Sequence, residues 1–395
     1  MTASTFAALG VSRSVIRALA ARGADVPFPV QAAVLPDALA GRDVLVKSPT
    51  GSGKTLAFGV AIAERLSSEA SPPAALVLVP TRELALQVRE ELAPVLAARG
   101  LRVAVAYGGV PLREQSRAAA RANVVVATPG RLEDLAARRL VDLSQVRILV
   151  LDEADRMLDM GFQPQVDRIV RRLPRSRQTI FTSATLDGQV GRLAHAYTRS
   201  PRLHEVASET PTVAEADHRF LPVDAHGKVD ALVELLAGHR GLALVFVRTK
   251  RGADRLARRL VARGVAAEAL HGDLAQPARE RALARFEAGK VDTLVATDVA
   301  ARGLDLHRIT HVINFDPPDD DKGYVHRVGR TARAGRAGTG VTLVTPEQRG
   351  DVGRMAARLD LRESFTEEGM EIPPPRLVFS GSSGRRSMLR KPRRR

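Results

Sequence analysis

The chain has 395 residues, 45% of them hydrophobic and 26% charged, enough for a sizeable core divided over two or three domains. No apolar run reaches the roughly 18 residues that a membrane span needs, and the absence of cysteine excludes disulfides and Cys-based zinc sites. A formal net charge of +16 points to a polyanion, and with aromatics at 4% and no tryptophan such a partner is met through its phosphates rather than by stacked bases.

The first twenty-odd residues contain Arg and Ser and no acid, a composition shared with transit peptides; the periodicity is read instead as an amphipathic surface helix beginning near Ser12. Short β-branched runs then alternate with longer helical patterns: "DVLVKS", "AALVLVP", "ANVVVATP", "VRILVLDEAD" and "QTIFTSAT". Near-continuous apolar strands separated by amphipathic helices imply a parallel sheet covered on both faces, with the chemistry at the C-terminal strand ends. The pattern lapses in polar, Pro-containing residues 206–223 and restarts with "GLALVFVRT", "VAAEALHG", "DTLVATD", "HVINFDPP" and "GTGVTLVTP". The predicted architecture is α/β: a first lobe over 1–207, a linker over 208–218, a second lobe over 219–362 and a short tail over 363–395. The end of that tail, 380–395, carries seven basic residues and no acid, which predicts disorder.

The loop "SPTGSGKT" (48–55) follows the first strand and opens a helix. Gly51 and Gly53 let backbone amides approach phosphate oxygens, Lys54 reaches the β- and γ-phosphates, and the Thr55 hydroxyl faces Mg²⁺. The whole loop, Ser48, Thr50, Gly51, Ser52, Gly53, Lys54 and Thr55, is the candidate ATP cradle. A later strand of the same lobe ends at Asp152-Glu153. An apolar strand running into acids calls for a cation, and Mg²⁺ carried by the nucleotide is that cation. Asp152 is assigned to the metal and Glu153 to the proton of the attacking water. The second lobe has no phosphate loop. Its "HRVGRTARAGR" (326–336) repeats arginine every three residues, so on a helix Arg327, Arg330 and Arg333 share a face, a source of arginine fingers for the other lobe's γ-phosphate.

Ten segments in this order, "SPTGSGKT", "PTRELA", "GG" (108–109), "TPGR", "DEAD", "SAT", "VFVRTK", "QPAR", "ATDVAARGLD" and "HRVGRTAR", resemble the DEAD-box ATP-dependent RNA helicases over roughly residues 6–362. The resemblance implies two tandem RecA-like lobes, RNA-stimulated ATP hydrolysis with ATP and Mg²⁺, and lobe closure that unwinds short RNA duplexes or remodels ribonucleoproteins. It places Arg330 and Arg333 at the γ-phosphate and Asp305 at the ribose. Gln31, closing the motif "GADVPFPVQ" (23–31), would read adenine. Ser183 and Thr185 would couple hydrolysis to RNA by bonding Asp155, with His326 in the same network. RNA backbone contacts would come from Arg82, Gly109, Thr128, Arg131, Arg248 and Thr297. A monomer in the cytoplasm is implied, off the membrane, with ribonucleoprotein or ribosomal partners. The register also puts Phe6 inside the domain, so the first residues are not a cleaved signal.

The sequence departs from the family at four places: Ala24 stands for an aromatic, Phe28 for Thr or Ser, Ser48 for Ala, and "TAR" (331–333) for "TGR". Without a ring at 24, weak ATP affinity with adenine preference retained is expected; Phe28 is read either as a substitute ring or as core. A different class of function, an ATP-gated RNA clamp with slow turnover, is the alternative to unwinding, and strand separation distinguishes the two.

Overall fold

The structure, a computed structural model, describes residues 5–48, 52–206, 216–238, 241–301, 308–331, 338–372 and 374. Thr50, Gly51, Asp305, Arg333, most of the expected linker and the basic segment 380–395 lie outside the described residues.

The first lobe is built on β1 (Val44–Lys47), β2 (Ala75–Leu78), β3 (Val103–Ala106), β4 (Val124–Ala127), β5 (Ile148–Leu151), β6 (Gln178–Ser183) and β7 (Arg202–Glu205). All pairings are parallel, in the order β3-β4-β2-β5-β6-β1-β7. The unbroken apolar runs are explained by where alternate residues go. Val44, Val46, Ala75, Val77, Val124, Val126, Ile148 and Val150 feed one core cluster. Their neighbours Leu45, Leu76, Leu78, Val125, Leu149 and Leu151 feed the cluster on the opposite face. A strand of period two with helices on both sides has no polar face to show.

The second lobe repeats the plan with β8 (Asp217–Pro222), β9 (Leu242–Phe246), β10 (Ala267–Leu270), β11 (Thr293–Ala296), β12 (Ile309–Asn314) and β13 (Thr339–Val344), ordered β10-β11-β9-β12-β13-β8 and again parallel. Alternation along β9 sends Ala243 and Val245 to one cluster and Leu242, Leu244 and Phe246 to the other. The expected helix near Ser12 is Arg13–Ala20, with Val15 and Leu19 buried.

Three expectations are corrected. Strands β3, β7 and β8 add to the ten read from the sequence. Asp217 and His218, assigned to the linker, begin β8, which pairs with β13 along six residues. The tail does not start at 363: helix Arg362–Thr366 inserts Phe365, fully buried, edge-on against Phe220 at 5.4 Å, and Met370 is buried in the same cluster. Apolar residues spaced this sparsely among acids give no periodicity to read. Phe365→Ala is expected to cost about 3–5 kcal/mol, as for other buried Phe truncations. Chemical denaturation checks this, and a loss under 1 kcal/mol would return the segment to the tail.

Candidate nucleotide and RNA sites at the strand ends

Three adjacent strands, β5, β6 and β1, deliver the nucleotide chemistry at their carboxyl ends. Gly53 closes the phosphate loop in the left-handed region, φ 90°, and opens helix Lys54–Arg65. A side chain there would sit 2.8 Å from Gln31 Nε2 and 2.9 Å from the Phe28 ring, so only glycine fits both the torsion and the space. Lys54 is buried, and its Nζ donates to the Ser48 carbonyl at 2.7 Å, bridging the base of the loop; the Ser48 hydroxyl donates to Ser52 at 2.8 Å. Burial lowers the Lys54 pKa, against the opposing pull of Asp152, Glu153 and Asp155.

Asp152 follows β5 and is buried. Its Oδ1 accepts from the Thr182 hydroxyl at 2.5 Å and from the Glu153 amide at 3.1 Å. Burial first, and the neighbouring Glu153 second, push its pKa up to about 6, more than Lys54 and Thr182 offset. A carboxylate whose charge is this poorly compensated suits a cation, and Thr55 is the second residue of the helix that follows the loop. The residues therefore fit Mg²⁺. Among the described residues no group of three or more His, Cys, Asp or Glu could hold a metal.

Glu153 takes a left-handed conformation, φ 52°, ψ 50°, ahead of helix Ala154–Asp159. Its Oε2 accepts from Arg156 Nη1 at 2.5 Å, both side chains largely buried. Arg156 carries no signal in the sequence beyond its spacing of three from Glu153.

The expected link from Asp155 to the hydroxyls of Ser183 and Thr185 takes a different form. Asp155 Oδ2 accepts from the Ala184 amide at 3.1 Å, while Ser183 Oγ accepts from the Thr185 amide at 3.2 Å. The bend after β6 turns a backbone N–H, not a side chain, toward the acid. His326 is half-buried in helix Asp321–Val328 of the other lobe.

The strands β3, β4 and β2 form the other half of the first sheet, and their ends gather the expected RNA contacts. Arg82 opens helix Arg82–Ala97, capped by Thr81, whose hydroxyl accepts from the Leu84 amide. Gly109, φ 90°, lies so close to Arg82 that a Cβ would collide with its guanidinium. Arg131 donates to Gln115 at 2.7 Å and to the Val110 carbonyl at 3.0 Å, beside Gly109. Thr128 follows β4 at the N-cap position of helix Pro129–Ala137, without a side-chain capping bond. In the second lobe, Arg248 follows β9 and donates to exposed Asp319 at 3.3 Å, and Thr297 follows the neighbouring β11.

The arginine face of 326–336 is not one face. The helix stops at Val328, so Arg330 lies beyond it. Arg327 turns inward instead: Nε and Nη2 pair with Asp298 at 2.6 Å each, Nη1 reaches Asn314 and the Asp316 carbonyl, and the guanidinium lies over Phe246. Arg330 is buried, its Nε donating to the His326 carbonyl at 3.2 Å.

Of the four residues that join the lobes, only Arg82 was given a role from the sequence, as an RNA contact; Glu83, Gln276 and Arg279 were given none. Gln276 and Arg279, on helix Gln276–Glu287 of the second lobe, meet the first lobe at the start of helix Arg82–Ala97. Arg82 Nη1 donates to Gln276 Oε1 at 3.3 Å. Arg279 Nε stands 2.5 Å from Glu83 Oε1, both side chains about 10% exposed. That contact is off the hydrogen-bond direction, leaving Nε without a formal acceptor, so it is an ion pair rather than a shaped hydrogen bond. Arg279 Nη2 donates to the Ala300 carbonyl at 2.7 Å.

Comparison with known proteins identifies the family of both lobes. Residues 28–193 match the DEAD/DEAH box helicase family and residues 227–335 the helicase conserved C-terminal domain. The DEAD-box ATP-dependent RNA helicase CshA of Geobacillus kaustophilus is 43% identical over 377 residues, 95% of this chain and 79% of that one. The Bacillus subtilis protein of the same name is 42% identical over 347 residues, 87% and 70% of the two chains. Among solved structures, S. cerevisiae Dbp5 bound to RNA and ADP BeF3 is 30% identical, with a TM-score of 0.81 over 94% of this chain and 95% of that one. A DEAD box protein from Methanococcus jannaschii, 32% identical over 90% of this chain and 97% of that one, gives only 0.51. The chain belongs to the DEAD-box ATP-dependent RNA helicases, which are RNA-dependent ATPases.

Proposed function

We propose that this chain hydrolyses ATP between its lobes and uses their closure on RNA to separate short duplexes or remodel ribonucleoproteins. The observation that supports the reading best is the pair of inter-lobe contacts, Arg82 with Gln276 and Glu83 with Arg279, which fasten the second lobe to the RNA edge of the first. In this reading Lys54 and the loop amides bind the phosphates, and Glu153, oriented by Arg156, takes a proton from the attacking water. Arg330 and Arg333 neutralise charge on the departing phosphate from the other lobe. Asp152 and Thr55 would hold Mg²⁺, whose chemistry is to neutralise the phosphate oxygens. Arg82, Gly109, Thr128, Arg131, Arg248 and Thr297 grip the RNA backbone, sequence-independently. ATP and RNA both favour the closed state, so each raises affinity for the other. The same reading carries Gln31 at adenine, Asp305 at the ribose, the domain limits 1–207 and, as corrected above, 217–372, a cytoplasmic monomer, and ribonucleoprotein or ribosomal partners. Among the described residues no helix is long and apolar enough to cross a membrane.

The test is a charge swap read by strand separation of a short RNA duplex. Glu83→Arg and Arg279→Glu should each slow ATP-driven separation and RNA-stimulated ATPase by about 10-fold or more, because each sets two like charges face to face in a largely buried contact that must form on closure. The double variant should recover part of both, and RNA-free ATP binding should not move. If the single variants separate strands at the wild-type rate, the lobes do not close through this pair. If the wild type holds RNA in the presence of ATP but separates nothing, the protein is a clamp.

A further inference from the structure

We propose that Phe28 is the base-stacking residue of the nucleotide site, an inference that rests on the reading of Lys54 and its loop as the ATP cradle. Phe28 is 56% exposed, an unusual place for a phenylalanine in a chain with so few aromatics. It is not core, as one reading of the sequence had it. The ring lies against Gly53, at the end of the phosphate loop: Cδ2 lies 2.9 Å from where a Gly53 side chain would be, and Gln31 Nε2 converges on the same point at 2.8 Å.

The ring and the amide are one unit. The Phe28 amide donates to Gln31 Oε1 at 2.9 Å, and Gln31 Nε2 donates to the Gly53 carbonyl at 3.0 Å. Pro27 and Pro29 flank Phe28 and stiffen the segment, and Phe28 caps helix Pro29–Leu39. The ring is thus held in water beside the loop rather than free to fold back. Ala24 packs on the first-lobe core and offers no ring, and Phe58, on the helix after the loop, is fully buried. A nucleotide whose phosphates sit on the loop brings a flat base, and Phe28 is an exposed flat apolar surface at the loop's rim. Stacking accepts any base, whereas the Gln31 amide distinguishes their edges, so Phe28 sets affinity and Gln31 sets preference.

Titrations of the full chain with Mg-ATP, Mg-GTP and Mg-tripolyphosphate separate the contributions. Phe28→Ala should weaken ATP and GTP in equal proportion, by about 5- to 100-fold, the usual worth of an aromatic face on a base. Tripolyphosphate should bind as to wild type, and Phe28→Trp should retain the affinity for ATP. Unchanged ATP affinity in Phe28→Ala overturns the proposal. Tighter ATP binding does so too, because the ring would then be occupying the place of the base. An equal loss for tripolyphosphate would make Phe28 a support for the loop and not a stacking surface. Failure of the underlying site looks different: wild type would bind none of the three, or Lys54→Ala would bind ATP as well as wild type.

Discussion

Glu153→Gln lowers kcat for RNA-stimulated ATP hydrolysis by about 10²–10⁴-fold, the range for losing a general base, while ATP and RNA still bind. The amide keeps the shape of the carboxylate but cannot accept the proton, and Asp152 remains to meet the cation. The structure adds a second expectation. Glu153 is the counter-charge of Arg156, which is 4% exposed in its side chain, at 2.5 Å. In the variant that guanidinium keeps an oxygen acceptor but loses its neutralising partner. A stability loss of about 1–3 kcal/mol is expected from such a buried charged group. Steady-state ATPase and thermal unfolding measured on the same sample separate the two effects. Turnover within a few-fold of wild type would remove Glu153 as the base, whatever happened to stability.

Arg156 illustrates what was legible in the sequence and what was not. The alternation of apolar strands and helices made both lobes readable, because a strand covered on both faces must be apolar at every position; β4, "VVVA", is fully buried throughout. Three of the four edge strands, β3, β7 and β8, escaped for the converse reason. In β7, "RLHE", three residues are exposed and only His204 is half-buried, so no pattern marks it. Motif residues were readable where a short loop fixes them, as at Gly53 and Lys54. Contacts made across long sequence separations were not. Glu83 and Arg279 are an ordinary acid and an ordinary base on two distant helices until the lobes meet. The arginine run at 327–333 misled because a spacing of three implies a helical face, and Gly329, just past Val328, ends the helix.

That break separates two arginines whose loss should look entirely different. Arg327 is fastened by Asp298, Asn314 and the Asp316 carbonyl and lies over Phe246, all within the second lobe. Arg327→Ala strands Asp298 and empties a buried site, so about 3–5 kcal/mol of stability should go with it. Arg330 sits past the helix end, on the lobe without a phosphate loop, and in the proposed reading it reaches ATP only when that lobe closes on the first. Arg330→Ala should therefore lower RNA-stimulated kcat by about 10³-fold or more, the scale for removing an arginine finger. Affinity for ATP without RNA should change little, and the second lobe should still unfold cooperatively. Arg330→Lys should recover only a small part of the rate, because an ammonium keeps the charge but not the planar fork that spans two phosphate oxygens. Equilibrium ATP binding without RNA, single-turnover hydrolysis with RNA, and thermal unfolding of the three variants form the test. Should Arg330→Ala lose ATP binding in the absence of RNA yet keep its turnover number, the residue belongs to the ground-state site of the open protein, and the trigger for hydrolysis must be sought elsewhere on the closing face.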